Sequence, residues 1–146
     1  MIPLGPQIQA MYRSPESADH MNYHAHKTKE IIDMIEQNGG QINISTYEDF
    51  VHGQDYIEAV QRGDIGENDV ICTFSIDSTQ LYHDKELECW FFIWVIFNLS
   101  PDLCYKKKFV LPAGFVPGPT KPKNMESFLL PSLRHFSALQ KQGLTI

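Results

Sequence analysis

Residues 69–101, DVICTFSIDSTQLYHDKELECWFFIWVIFNLSP, decide the fold of this chain. Two apolar runs, at residues 70–76 and 89–97, predict two β-strands joined by a polar turn at residues 82–85. The second run is apolar at successive positions, which is typical of a central strand in a sheet covered on both faces. Asp77 follows the first run directly. Because a carboxylate beside a sheet core needs a cation or hydrogen-bond donors, Asp77 is either a metal ligand or a turn residue.

The sequence after this stretch predicts a third strand. Residues 109–116 form another apolar run, in which Pro112 favours an edge position because proline cannot donate to a neighbouring strand. Residues 117–123, PGPTKPK, predict a stiff and extended connector.

A helix is predicted after the connector, from an N-cap at Asn124 to about Gln142. Pro131 should kink this helix or separate its first turn. Residues 144–146 resemble the first residues of a further strand. The apolar positions at helical spacing predict a buried face of Leu129, Leu130, Leu133, Phe136 and Leu139.

The first half of the chain is predicted to be helical. Ser14 suits an N-cap, and apolar residues at a spacing of three and four predict one helix over residues 15–38, which Gly39 and Gly40 end. Residues 45–63 predict one or two short helices interrupted at Gly53. The expected fold class is therefore α+β, with an N-terminal helical region at residues 1–68. Residues 69–146 follow as a three-stranded antiparallel meander and one helix, the order in which a ribonuclease H-like core begins.

Composition limits the class of protein further. With 146 residues, 42% of them hydrophobic, the chain is long enough to form a real core. Its net charge is −6, but residues 1–68 hold 4 basic and 11 acidic residues, and residues 69–146 hold 8 and 7. Any surface that contacts phosphate is therefore expected in the second half. Three cysteines without a CxxC pair, no secretory signal and no membrane-length apolar run indicate an intracellular protein without disulfides.

An ordered set of short motifs resembles the transposase of CACTA-type (En/Spm) DNA transposons, particularly the fungal branch. The match is strongest over residues 74–144, and residues 3–24 resemble the segment that precedes the transposase core. The family's motifs are an acid followed by a small residue and a polar hairpin, a Cys-Trp strand ending in Asn-Leu-Pro or Leu-Ser-Pro, a Pro-Gly-Pro-x-x-Pro connector and a helix with Ser-Phe-Leu near its start. They lie at Asp77-Ser78, Cys89-Trp90, Asn98 to Pro101, Pro117 to Pro122 and Ser127 to Leu129.

The resemblance implies a ribonuclease H-like core that cuts and joins DNA through two Mg²⁺ or Mn²⁺ ions, with Asp77 as catalytic residue and first-strand metal ligand. Ser78 stands where the family usually has glycine. The second acid is expected just past residue 146 and the third further on, so we expect a truncated, catalytically inactive transposase. Whether the chain is an enzyme is left open by the sequence. The implied partners are transposon-end DNA and a full-length transposase, with no small-molecule substrate and no membrane, and the implied location is the nucleus.

Other candidate sites have plainer interpretations. Asp84, Glu86 and Glu88 flank the hairpin and are expected to form a solvated rim. His20, His24 and His26 lack a further zinc ligand and are expected on an exposed helix surface. Pairing Cys104 with His135 as nucleophile and base is arbitrary, because no third group orients them. Trp90, Phe92 and Trp94 are expected in the core rather than as a platform for stacking bases.

The basic residues around the third strand leave two alternatives open. They either contact nucleic-acid phosphate or protect an edge strand against aggregation. A non-catalytic DNA- or protein-binding module derived from a transposase is accordingly the alternative function. The residues concerned are Lys106, Lys107, Lys108, Lys121 and Lys123.

Overall fold

A computed structural model describes residues 1–82, 85–118 and 122–146, with backbone alone at residues 80–82 and 85–87. This part of the chain combines α-helices with a three-stranded antiparallel sheet, so the predicted α+β class is confirmed. The elements in chain order are α1 (Leu4–Met11), α2 (Pro15–Met21), α3 (Tyr23–Gln37), a 3₁₀ turn (Phe50–His52), α4 (Gln54–Gln61), β1 (Cys72–Tyr82), β2 (Lys85–Ile96), α5 (Pro101–Cys104), β3 (Leu111–Gly118) and α6 (Met125–Gln142).

The strand order is β1-β2-β3, with both neighbouring pairs antiparallel. The predicted central position of β2 is therefore confirmed. β3 is an edge strand, as Pro112 predicts, and the register between β2 and β3 shifts between Phe92 and Ile93, beside Pro112. The turn predicted at residues 82–85 and the connector at 117–123 lie partly outside the described residues.

β1 is longer than the sequence predicts. It continues past Ile76 to Tyr82, so Asp77 lies in the interior of the strand instead of at its end. The residues that extend it are polar and exposed from Asp77 to Thr79, and an open edge with a solvated face accepts them. Hydrophobicity alone therefore places the end of this strand too early.

Much of the main core lies on the face of the sheet covered by α6. Phe92 and Trp94 of β2 are almost fully buried, and the ring of Phe136 in α6 stacks on Trp94 with 5.1 Å between ring centroids. The prediction that Phe92 and Trp94 belong to the core is confirmed. The buried members of this cluster are Leu4, Ile8, Met21, Phe92, Trp94, Val95, Ile96, Leu99, Cys104, Leu111 and Ala113.

α6 begins at the predicted cap, where the Asn124 side chain accepts a hydrogen bond from the Ser127 N–H. The helix is continuous through Pro131, so its first turn is not separated, and the alternative of a kink stays a prediction. Proline removes one N–H donor, but Leu129 and Phe136 on either side of it pack against the main core and hold this part of the helix in place. The predicted buried face is also too wide, because Leu130 and Leu133 remain 48% and 43% exposed.

The N-terminal region contains a helix that the sequence analysis missed. α1 places Leu4 and Ile8 in the main core, although proline and glycine punctuate its sequence. The single helix predicted over residues 15–38 is two helices, which meet at Asn22, and Ser14 caps the first of them as predicted.

A second, smaller cluster joins α3 to the 3₁₀ turn and α4. Its buried members are Ile31, Ile35, Val51 and Ile57. Gly53 separates the two short elements as predicted, and Gly63 follows α4 with a positive φ of 79°. None of the helices in the described ranges is long and apolar enough to cross a membrane.

Candidate metal ligand and nucleic-acid surface

Asp77 lies on β1 opposite Phe91 of β2, and its side chain is exposed. Its Oδ1 accepts a hydrogen bond of 2.8 Å from the backbone N–H of Ser78. Alternating side chains along a strand point to opposite faces, so Asp77 shares its face with Ser75 and Thr79. The carboxylate is therefore accessible to a cation, and it also makes a local backbone bond.

The residues around Asp77 do not fit a two-metal centre. Two divalent cations need several carboxylates to hold them and to neutralise their charge. Glu88 pairs with Gln80 in the ladder, three positions from Asp77, and so belongs to the opposite face of the sheet. Within the described ranges, no group of three or more His, Cys, Asp or Glu side chains could hold a metal ion. Asp84 and the side chain of Glu86 lie outside the described residues.

The predicted basic surface lies between α5 and β3. Lys106, Lys107 and Lys108 are consecutive and exposed, and they follow the exposed Tyr105. The Lys108 Nζ lies 5.3 Å from the ring centroid of Phe109, which orients this side chain across an apolar surface.

One carboxylate, that of Asp102, partly offsets the positive charge of the basic surface. Asp102 in α5 has a pKa below its ordinary value, because the Ser100 hydroxyl donates to it and the charge of Lys106 favours the carboxylate. Lys123 is exposed, near the start of α6, whereas Lys121 lies outside the described residues. The three consecutive lysines are thus free to contact an anionic partner without breaking a buried contact.

His24 is buried, so the prediction of three exposed histidines is wrong at this position. Only 1% of His24 is exposed, whereas His26 is exposed and His20 is half-buried. The His24 Nε2 is hydrogen-bonded to the Tyr56 hydroxyl, which also bonds to the Thr28 hydroxyl at 2.6 Å. The Thr28 hydroxyl in turn donates to the His24 backbone carbonyl at 2.8 Å. These contacts attach α3 to α4.

The environment of His24 keeps its imidazole neutral. Burial lowers the pKa of His24, and the negative charges of Asp49 and Asp69 oppose that effect only in part. The ring of Phe50 stacks on the imidazole in nearly parallel planes, 4° apart. Tyr23 directly precedes His24. Its pKa is raised to about 12, mainly by burial and further by the charge and hydrogen bond of Asp49. This cluster is a structural junction rather than a set of ligands.

The sequence holds a signal for the buried position of His24. The apolar stripe that predicts a helix over residues 15–38 runs through Ala18, Met21, Ala25, Ile32 and Ile35, with Thr28 in its gap. The residues that face the core from α2 and α3 also follow a spacing of three and four, with His24 and Ile31 in place of Ala25 and Ile32. They are Met21, His24, Thr28, Ile31 and Ile35. When histidine is counted as a polar residue, the pattern does not identify His24 as a core position.

Cys104 and His135 have separate structural roles. The Cys104 Sγ is buried and lies 3.8 Å from the Pro101 carbonyl oxygen, and burial raises the pKa of the thiol. The His135 Nε2 accepts a hydrogen bond of 3.3 Å from the Gly5 N–H and so connects α6 to α1. Each side chain is engaged with a different element, so the geometry supports no nucleophile and base.

No protein family, no curated protein and no solved structure matches this chain. The features that bear on function are the exposed Asp77 on β1 and the lysine surface beside β3.

Proposed function

We propose that this chain derives from the catalytic core of a CACTA-type transposase and that these 146 residues do not cut DNA by themselves. The observation that carries the proposal is the order β1-β2-α5-β3-α6, with the exposed Asp77 on the first strand. Together with the ordered motifs at residues 74–144, this order supports correspondence to the start of a ribonuclease H-like core. The absence of cleavage follows from the donor set of the described residues, in which Asp77 is not joined by the further carboxylates that two divalent cations require.

A nicking assay tests the catalytic part of the proposal. Supercoiled plasmid is incubated with the wild-type chain and with Asp77→Ala, in Mg²⁺ and separately in Mn²⁺. We expect neither protein to nick DNA above the rate of a metal-free control. Nicking by the wild type that requires both the metal and Asp77 would refute the proposal. Nicking that survives Asp77→Ala would indicate a contaminating nuclease, which a second purification removes before the measurement is repeated.

A second function, non-catalytic binding of DNA, is favoured by the exposed run of Lys106, Lys107 and Lys108. Contacts between lysine and phosphate release counterions, so such binding weakens steeply as salt increases. The triple variant Lys106→Gln, Lys107→Gln and Lys108→Gln removes the charge of this run. The slope of log K against log salt concentration should then become less steep by up to about 3, which is one unit for each lost phosphate contact.

Fluorescence anisotropy with a labelled DNA duplex measures this effect. The matched control carries the same charge change elsewhere on the surface, as Lys27→Gln, Lys29→Gln and Lys141→Gln. We expect the control to bind DNA almost as the wild type does. Equal losses in both triple variants would show that net charge alone governs binding, and no binding at low salt would remove this function altogether.

A further inference from the structure

The outer edge of β1 has no partner strand within the described part of the chain. The Ile71 carbonyl accepts a hydrogen bond of 2.8 Å from the Phe97 N–H, which makes these residues a hydrogen-bonded pair. Hydrogen-bonded and non-bonded pairs alternate along an antiparallel ladder. Thr73 and Ser75 therefore also direct their backbone groups toward β2. The alternate residues Cys72, Phe74, Ile76 and Ser78 direct theirs outward.

Only part of this outward row is free for a partner. The outward N–H of Ser78 already donates to the Asp77 side chain. The outward backbone groups of Cys72, Phe74 and Ile76 remain, and we call these three residues the β1 edge. Ile76 is also 38% exposed, so the row has an apolar side chain in contact with water.

A cavity of about 550 Å³ lies beside the start of the β1 edge. Its walls are partly apolar and partly polar. They come from α1, from residues 64–72, which lead into β1, from α6 and from residues 143–146 after it, with Leu4, Ile8, Phe136 and Leu139 among the apolar side chains. An extended segment that pairs with Cys72 and Phe74 could place an apolar side chain in this space, because alternate residues of a strand point to the same face. Edge and cavity thus form one continuous surface.

The charge of the surface selects its occupant. Residues 63–82 contain four acids, Asp64, Glu67, Asp69 and Asp77, and no Lys, Arg or His. Asp64 and Asp69 line the cavity itself, and Asp64 is also paired with Arg62 at 2.9 Å. A second copy of this strand would bring like charges together, whereas a basic segment would be attracted.

We propose that the β1 edge binds an extended segment of a partner protein by strand addition. The segment has apolar residues at alternate positions, which face the cavity, and Lys or Arg between them, which point to the opposite face of the sheet, where Asp77 lies. Backbone hydrogen bonds to Cys72, Phe74 and Ile76 supply affinity, while the cavity and the acids supply selectivity. This inference concerns a protein partner and goes beyond the proposed relation to a transposase.

Binding of a synthetic peptide tests the inference. The probe is an eight-residue peptide of alternating lysine and valine, labelled with fluorescein. Three controls accompany it, namely the same composition with lysines and valines in separate blocks, a glutamate-valine version, and the probe with alternate backbone nitrogens methylated. We expect only the unmodified alternating peptide to bind, with amide shift changes centred on Cys72, Phe74 and Ile76. Equal binding of the block peptide, or shift changes elsewhere, would overturn the inference.

A variant of the chain gives the reciprocal test. Ile76→Pro removes an outward N–H that β2 does not use, and proline is tolerated at such an edge position. We expect about tenfold weaker peptide binding, whereas Ile76→Val, which keeps the N–H, should bind like the wild type. If Ile76→Pro loses its far-UV circular dichroism, the methylated peptide decides the question on the unaltered protein. Undiminished binding of that peptide would refute strand addition.

Discussion

At the scale of single residues, protonation of His24 is the change with the clearest effect on stability. The imidazole is buried and neutral, with its Nε2 engaged by Tyr56 and no hydrogen-bond partner for its Nδ1 among the described residues. A second proton would place a charge in this site without an acceptor. The pKa of His24 in the folded chain therefore lies below its ordinary value of 6.5.

This environment predicts a loss of stability in mild acid. Between the folded and unfolded pKa of His24, the unfolded chain binds more protons, so the free energy of unfolding falls as pH decreases. The contribution of His24 is complete above about pH 6.5 and declines below it. Urea unfolding between pH 7 and pH 5.5 measures the effect, with His24→Gln as the control that cannot titrate. An identical slope in both proteins would assign the decline to other groups.

Tyr56 supports the same junction, and its removal tests the hydrogen bond itself. Tyr56→Phe leaves the His24 Nε2 unpaired in a buried site, at an expected cost of about 1–3 kcal/mol in the free energy of unfolding. Tyr47→Phe is the matched control, because Tyr47 is 68% exposed. Urea unfolding should separate the two variants, and equal stabilities would mean that water replaces the lost hydroxyl.

At the scale of secondary-structure elements, the sequence predicts the strands better than their ends. The apolar runs identify β2 as central and β3 as an edge, because hydrophobic side chains mark positions covered on both faces and Pro112 marks a missing donor. The same pattern does not predict the end of β1, since polar residues also form strands where the sheet is open to water. Asp77 was expected at a strand end for that reason and lies in the strand interior.

The position of Asp77 on an open edge gives it a structural role that can be tested. Charged side chains on edge strands oppose pairing between molecules, and Asp77 also occupies the outward N–H of Ser78. Asp77→Thr keeps a strand-forming residue but removes the charge, so we expect faster aggregation at equal protein concentration. Light scattering over time measures this, with Asp55→Thr on the exposed surface of α4 as the charge-matched control. Equal aggregation of the two variants would exclude a protective role for Asp77.

At the scale of the whole molecule, the two halves of the sequence share one core. The predicted division at residue 68 follows the change from an acidic helical region to the strands, and it stays a prediction. Packing nevertheless crosses it, because Leu4, Ile8 and Met21 belong to the same cluster as Trp94 and Ile96 of β2. Phe50 and Phe97 add a second connection, with 4.9 Å between their ring centroids. Composition and charge cannot reveal such contacts, since they depend on which helix faces the sheet.

This shared core predicts that residues 69–146 do not fold cooperatively when produced alone. The separated sheet would expose apolar surface that the N-terminal helices cover, since Leu4 and Ile8 of α1 and Met21 of α2 belong to the same buried cluster as β2. Without that burial the hydrophobic gain falls below the conformational entropy that folding must overcome. We expect the piece to bind a hydrophobic dye and to unfold over a broad range of urea, in contrast to a sharper transition for the full chain. A sharp transition with the same midpoint would show that the sheet and α6 form an independent domain and that the N-terminal helices merely rest on it.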